Sequence, residues 1–218
     1  MLDISCVNDE LLAYAALKND LLFHKIPKEK YQYYIQESLK IGKEKAKRYK
    51  NKSVEQLCQE NHIQISYAKQ NGKFYGVQFR ANIELSKEQS QIILYQSSLE
   101  EMTKASQKLF HKNTTFEEVS QIHLAHELFH FYEYIDQQST NEILDSIVRL
   151  KIGPIQLYST IMSTSEIAAH AFAKELLNLN YLPNIYDYIL LMDKGEYSLK
   201  EFEELVEQWK TELGEIKC

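Results

Sequence analysis

The residues best suited to chemistry lie side by side at positions 126–130, where the chain reads His-Glu-Leu-Phe-His. Residues four positions apart share one face of a helix, so the imidazoles of His126 and His130 would be able to bind one zinc ion. Glu127 lies beside them, where a carboxylate can act on a zinc-bound water. These three side chains form the minimum apparatus of a zinc hydrolase.

The third protein ligand that a catalytic zinc needs must come from outside this pair. Asp136 would reach the metal only if the helix broke after His130, and residues 131–135 contain no glycine to permit a break. Glu133 and His123 share the helical face of the pair, about one turn away, and a ligand from Glu133 would crowd the water. We expect these two side chains to support the site or to pack beside it.

Glu166 is the fourth candidate for the third ligand. It lies in a second helical pattern at 165–179, and a helix packed against the first would present its carboxylate to the metal. Glu166 also has a purely structural interpretation, because it is the acid of a capping-box pattern that begins at Ser163. The residues alone leave both interpretations open.

Helices dominate the elements that are expected to position these residues. Periodicity and caps predict them at about 8–23, 28–50, 54–61, 99–110, 116–137, 165–179 and 199–213. Several helix starts carry capping-box patterns: Ser53–Gln56, Ser98–Glu101, Thr115–Glu118, Ser163–Glu166 and Ser198–Glu201. The stretch 141–162, around Gly153-Pro154, receives no assignment.

A change of apolar period from 3.6 to 2 predicts strands between the third and fourth helices. Residues 63–67 and 74–85 alternate, Asn71-Gly72 is a strong hairpin turn, and residues 92–95 form a further strand. We therefore expect an α+β fold, with a small twisted antiparallel sheet covered by helices. A peptide would be able to add to the edge strand Gln91–Tyr95 by main-chain hydrogen bonds.

Composition narrows the class of protein. The chain has 218 residues, a net charge of −6 and no apolar run near the roughly 18–20 residues of a membrane span, so we expect no membrane partner. No basic and apolar leader opens the sequence, and the three cysteines are widely spaced and form no CxxC: Cys6, Cys58 and Cys218. We expect reduced thiols and a cytoplasmic location.

A basic segment at residues 25–52 carries ten Lys or Arg against three Glu. A helix of this kind could bind nucleic acid or an acidic partner. The favoured interpretation is a solvated face, because apolar residues recur on the other side and would pack inward: Tyr31, Tyr34, Ile35, Leu39 and Ile41.

Two patterns taken together resemble the ImmA/IrrE family of metallo-endopeptidases. The first is Leu124-Ala125-His126-Glu127-Leu128-Phe129-His130, which is similar to the family's LAHELxH. The second is Glu166-x-x-Ala169-x-x-Phe172-Ala173-x-x-Leu176-Leu177, which is similar to the family's ExxAxxFAxxLL. The resemblance implies a zincin-like domain at residues 54–183. Residues 1–53 would be an N-terminal helical extension, and residues 184–218 a C-terminal helical segment packed on the same domain.

The same resemblance implies residue roles and a class of substrate. His126, His130 and Glu166 would bind Zn²⁺, and Glu127 would be the general base. Members of the family are cytoplasmic, and several cleave helix-turn-helix repressors, so the substrate would be a protein or peptide of that kind. The alternative is a non-catalytic zincin-like module that binds a regulator or DNA. The intact Glu127 argues against this alternative, because a structural metal site has no use for that carboxylate.

The sequence departs from the family pattern at two positions. Phe129 replaces the family's usual glycine, which a continuous helix tolerates. His170 stands where aspartate or asparagine is common. It could be a neutral acceptor, a fourth ligand that closes the water position, or a donor to the oxyanion. Three tyrosines are further candidates for the oxyanion donor: Tyr132, Tyr134 and Tyr158.

Overall fold

The chain folds into helices and short strands, as described by a computed structural model for residues 7–69, 73–74 and 77–214. The first half contains α1 (Asp9–Lys18), α2 (Tyr31–Lys47), α3 (Val54–Glu60), β1 (Gln64–Ala68), β2 (Lys73–Phe74), β3 (Val77–Gln78), β4 (Ala81–Glu84), β5 (Gln91–Tyr95) and α4 (Gln96–Leu109). The second half contains α5 (Phe116–Ile135), α6 (Thr140–Ile143), β6 (Ile147–Ile152), β7 (Ile155–Ser159), α7 (Ser163–Leu177), α8 (Ile185–Asp193) and α9 (Leu199–Leu213). The α+β class predicted from the sequence is confirmed. Within these ranges no helix combines the length and apolarity needed to cross a membrane.

The main sheet is mixed, so the prediction of an antiparallel sheet is wrong. Its strand order is β1-β5-β4, with β5 parallel to β1 and antiparallel to β4. Gln91–Tyr95 is therefore the central strand and not the predicted edge, and Ile92 and Leu94 on it are fully buried. Alternation of apolar residues predicts which face of a strand is buried, but it does not specify the neighbouring strand or its direction.

The region between β1 and β5 also differs from its prediction. The expected single strand at 74–85 is divided among β2, β3 and β4, and β2 pairs with β3 in a separate two-stranded sheet. The predicted turn at Asn71-Gly72 lies outside the residues that the structure describes. Only β4 joins the main sheet, and it is an edge strand of that sheet.

Helix α2 packs on α7 in the interior, and its basic residues face outward. Tyr34, Ile35 and Leu39 are buried, as the solvated-face interpretation predicts. Several lysines of the basic segment pair with carboxylates of the same chain: Lys30 with Asp145, Lys43 with Asp9, Lys45 with Asp136 and Lys52 with Glu60. This pairing favours the solvated face over a nucleic-acid surface. The domain boundaries at 53/54 and 183/184 stay predictions.

Three of the predicted capping boxes are confirmed, at Ser53, Thr115 and Ser198. The one predicted at Ser98 is wrong, because α4 begins two residues earlier and the Ser98 hydroxyl donates to the Phe79 carbonyl. The first predicted helix is also shorter, since α1 ends at Lys18. The unassigned stretch 141–162 holds α6 and a hairpin of β6 and β7.

Helices α2 and α7 lie in close contact at Gly42. A Cβ atom on this residue would lie 2.1 Å from the carbonyl oxygen of Ala168 and 2.8 Å from the Ala171 side chain. Because the first of these neighbours is backbone, it cannot move aside without moving α7. The absence of a side chain at Gly42 therefore determines how near α7 can lie.

We expect Gly42→Ala to destabilise the protein by about 1–3 kcal/mol through overpacking against α7. This effect is opposite to the usual one, since replacing glycine by alanine inside a helix normally stabilises the helix by about 1 kcal/mol. Urea unfolding followed by circular dichroism measures the change. Lys40→Ala, at an exposed position of the same helix, is the control and should shift the free energy of unfolding by less than about 0.5 kcal/mol. A stabilised Gly42→Ala protein would contradict the close contact.

Candidate metal centre

His126 and His130 lie on α5, one turn apart. The capping box of Thr115 and Glu118 begins this helix, and buried side chains such as Leu128 and Phe129 fix its rotation against the core. The two Nε2 atoms converge to 3.3 Å. The predicted pair of histidines therefore shares one face, at the edge of the core.

Glu166 reaches the same point from α7. Its Oε2 lies 3.2 Å from Nε2 of His126, and its Oε1 lies 3.5 Å from Nε2 of His130. The capping box predicted for Ser163 and Glu166 is wrong, because α7 begins at Ser163 without a side-chain cap. Asp20 instead accepts a hydrogen bond from the Ser163 backbone N–H at 2.9 Å, which leaves Glu166 free to face the histidines.

The spacing of these donor atoms fits a tetrahedral metal ion. Ligand atoms bound to zinc at 2.0–2.1 Å in tetrahedral geometry lie about 3.3 Å from one another. The two Nε2 atoms of His126 and His130 lie 3.3 Å apart, Oε2 of Glu166 lies 3.2 Å from the first, and Oε1 of Glu166 lies 3.5 Å from the second. Among the described residues, these three side chains form the group of potential ligands whose donor atoms all lie within 4.8 Å. Two imidazoles and one carboxylate are a donor set that suits zinc.

Glu133 orients His130 through Nδ1, the ring nitrogen that does not face Glu166. This carboxylate is 9% exposed, and its Oε2 lies 3.1 Å from Nδ1 of His130. The same oxygen accepts a hydrogen bond from the Ser165 hydroxyl, and Oε1 accepts from the backbone N–H and hydroxyl of Thr140 at 2.6 and 2.7 Å. Glu133 thus supports the site, as the sequence predicts, and it connects α5 with α6 and α7.

Hydrogen bonding outweighs the effect of burial on the pKa values of Glu133 and His130. Burial acts to raise the pKa of Glu133, but its bonds to His130, Ser165 and Thr140 hold that pKa below its usual value. Burial acts to lower the pKa of His130, yet the bond to Glu133 and the charge of Glu166 raise it. An Nδ1–H that donates to Glu133 directs Nε2 of His130 toward Glu166.

Glu127 lies between this group and the edge of the main sheet. The backbone N–H of Ile83 on β4 hydrogen-bonds to its carboxylate, and burial raises the pKa of Glu127 above its usual value. Glu166 behaves in the opposite way. Burial would raise its pKa, but the hydrogen bond and charge of His126 hold it well below the usual range. The two carboxylates therefore have separated pKa values, as an acid–base group and a metal ligand require.

His170 packs against His126 and is not a member of the ligand group. The two ring centroids lie 4.7 Å apart, and Nδ1 of His170 is buried without a hydrogen-bond partner. Burial, followed by the nearby His126, lowers the pKa of His170 to about 3. His170 is thus an uncharged ring packed against one of the candidate ligands, and a metal held by the group of three would keep an open position.

The structure separates the other sequence candidates from the ligand group. Asp136 is 49% exposed and pairs with Lys45 on α2. His123 is turned inward, with Nε2 3.4 Å from the Met102 sulfur. Tyr132 is buried and stacks on Tyr49 at 4.4 Å, which removes it as a donor to an oxyanion. Tyr134 is 40% exposed and lines the cleft described next, and Tyr158 is 61% exposed on β7.

A cleft of about 1600 Å³ opens beside the ligand group, and His130, Glu166 and His170 line it. Arg80 and Asp187 form an ion pair at 2.8 Å on its wall. Sequence reasoning did not identify this pair, nor the contacts of Thr140 and Ser165 with Glu133. These residues carry no motif, and only packing of α6, α7 and α8 brings them to the site.

Comparisons of this chain with models of known families, with curated proteins and with solved structures found no match. The resemblance to the ImmA/IrrE family therefore rests on the sequence patterns alone. The geometry of the candidate metal centre is independent support for a metal-binding interpretation.

We expect Glu133→Gln to weaken zinc binding by about 10–100-fold, because an amide nitrogen would face the donors His130 and Ser165. Competition with a chromogenic chelator measures the dissociation constant. Asp136→Asn, at the residue that follows α5, is the control and should bind zinc like the wild type. Equal affinities for wild type and Glu133→Gln would show that this carboxylate does not position His130.

Proposed function

We propose that this protein is a zinc-dependent endopeptidase with His126, His130 and Glu166 as zinc ligands and Glu127 as the general base. The observation that carries the proposal is the convergence of three side chains beside a cleft: the two histidine Nε2 atoms lie 3.3 Å apart, and the two carboxylate oxygens of Glu166 lie 3.2 and 3.5 Å from them. A purely structural zinc site is closed by four protein ligands, whereas a catalytic site keeps a position for water or substrate.

The residues around the ligand group supply the acid–base chemistry. Zinc, when bound, would act as a Lewis acid on the scissile carbonyl and activate water at neutral pH. Glu127 accepts the proton of the attacking water and delivers it to the leaving amine. A pKa raised by burial suits this exchange, because it makes the Glu127 carboxylate a stronger base for the proton of the water. The Ile83 N–H keeps the Glu127 carboxylate oriented between these steps.

The outer edge of β4 is the part of the main sheet best suited to bind a peptide, because within the described residues no strand pairs with it. Its inner edge pairs with β5, and its Ile83 contacts Glu127, so a peptide added to the outer edge would lie close to the general base. Main-chain hydrogen bonds would hold such a peptide irrespective of its sequence. This assignment replaces the predicted binding edge at Gln91–Tyr95, which is the central strand.

A cytoplasmic helix-turn-helix repressor is the substrate that the resemblance to ImmA/IrrE proteins suggests. Binding by strand addition requires an extended segment, so cleavage would occur in a flexible or locally unfolded part of the target. The cleft beside the ligand group has the volume to admit such a segment together with its side chains.

We expect Glu127→Gln to retain zinc and to lower kcat for protein cleavage by about 10²–10⁴-fold, because the amide cannot accept the water proton. Zinc content by mass spectrometry and hydrolysis of β-casein or a helix-turn-helix repressor measure the two effects. Glu117→Gln, an exposed position on the same helix, is the control and should leave both unchanged.

His126→Ala should lose zinc as well as activity, unlike Glu127→Gln, so the two variants distinguish a loss of metal binding from a loss of the general base. Turnover that persists in Glu127→Gln would exclude Glu127 as the general base. Wild-type protein that binds zinc but cleaves neither substrate would instead favour the non-catalytic module.

A further inference from the structure

The hairpin of β6 and β7 extends away from the body of the protein. Apart from Ile147 at its start and Ser159 at its end, the side chains of both strands are exposed. A two-stranded hairpin is only marginally stable in water by itself. An exposed hairpin with many apolar side chains therefore requires an explanation.

The strand register separates these side chains into two different faces. Leu150 pairs with Leu157, and Ile152 pairs with Ile155, on one side of the hairpin. Residues directly opposite in an antiparallel pair point to the same face, and neighbours along a strand point to opposite faces. These four aliphatic residues, here termed the hairpin face, are 46–61% exposed.

The opposite side of the hairpin is more polar. Lys151 pairs with Gln156 there, and the hydroxyl of Tyr158 donates to Gln156 at 2.9 Å. Only the hairpin face is therefore uniformly aliphatic. Within the part of the chain that the structure describes, no element covers these four residues.

The base of the hairpin is part of the cleft at the candidate metal centre. Arg149 and Ser159 line the same cleft as His130 and Glu166. The chain runs from Ser159 directly into α7, which carries Glu166. At about 3.4 Å per residue, the tip of β7 lies roughly 14 Å beyond this wall. A polypeptide that leaves the cleft along the hairpin would meet the hairpin face.

The size and charge of the hairpin face argue for a polypeptide segment and against a second copy of this chain. Four half-exposed aliphatic side chains present on the order of 400 Å² of apolar surface. A stable dimer buries about 800 Å² on each partner. The face carries no charged side chain, so an apolar segment loses no ionic solvation when it binds.

We propose that the hairpin face is a docking site for an apolar segment of the polypeptide substrate, outside the stretch that occupies the cleft. The proposal rests on the proposed peptidase function. It implies that the hairpin contributes to KM for long substrates and not to the rate of bond cleavage. A peptide of about six residues centred on the metal would extend roughly 10 Å to each side and would not reach Ile152 and Ile155 at the tip of the hairpin.

The test compares Ile152→Thr/Ile155→Thr with Lys151→Thr/Gln156→Thr, two adjacent cross-strand pairs on opposite faces. Threonine preserves the preference for strand conformation, so both variants should fold, as circular dichroism would check. For the first variant we expect KM for β-casein to rise about tenfold with kcat unchanged. Hydrolysis of a quenched fluorescent hexapeptide should be the same in both variants, and the second should bind casein within about twofold of wild type.

Binding without cleavage keeps this test independent of the proposed function. Fluorescein-labelled β-casein should bind Glu127→Gln, and the added Ile152→Thr/Ile155→Thr change should weaken its Kd about tenfold. Unchanged affinity would overturn the docking site even if the protein is an active peptidase. A wild-type dimer that the same substitution converts to a monomer, seen by sedimentation velocity, would identify a second copy as the occupant and also overturn the proposal.

Discussion

The close packing of α7 against its neighbouring helices is the constraint on which the rest of the structure depends. The ligand group takes two members from α5 and one from α7, so a shift of about one ångström between these helices would separate the donor atoms. Gly42 lets α2 approach the carbonyl of Ala168 and so holds α7 from its other side. Asp20 caps the N-terminus of α7, which leaves Glu166 available. The position of the third donor is therefore determined by residues that have no chemical role.

Glu133 joins this packing to the chemistry of the site. It is a buried carboxylate with partners on three helices, and burying it is favourable only because each oxygen accepts hydrogen bonds. Those bonds also determine how His130 presents its Nε2 atom. Helices thus hold the ligand group, whereas the surfaces proposed to bind a substrate, the β4 edge and the hairpin face, lie in the sheets.

Apolar residues recurring at the helical period predicted seven of the helices, because each amphipathic face is a local property of sequence, but α6 and α8 were not predicted. The capping boxes at Ser53, Thr115 and Ser198 are confirmed for the same reason, since each needs residues only three apart. The sheet was predicted less well. Its strands were found, but the parallel pairing of β1 with β5 and the edge position of β4 depend on contacts between segments distant in sequence. The hairpin at 147–159 was missed, although apolar and polar residues alternate on both sides of Gly153-Pro154 as they do in a two-stranded hairpin.

The sequence by itself determined that His126 and His130 share a helical face, because a spacing of four residues is enough for that, and it placed Glu127 beside them. It also predicted Glu166 as the third donor through a paired pattern. Only the tertiary structure decided that Glu166 does not cap α7, that His170 packs against His126, and that Glu133 accepts a hydrogen bond from His130. Each of these outcomes depends on the distance and rotation between helices, which arise from the packing of the whole core and are encoded in no short segment.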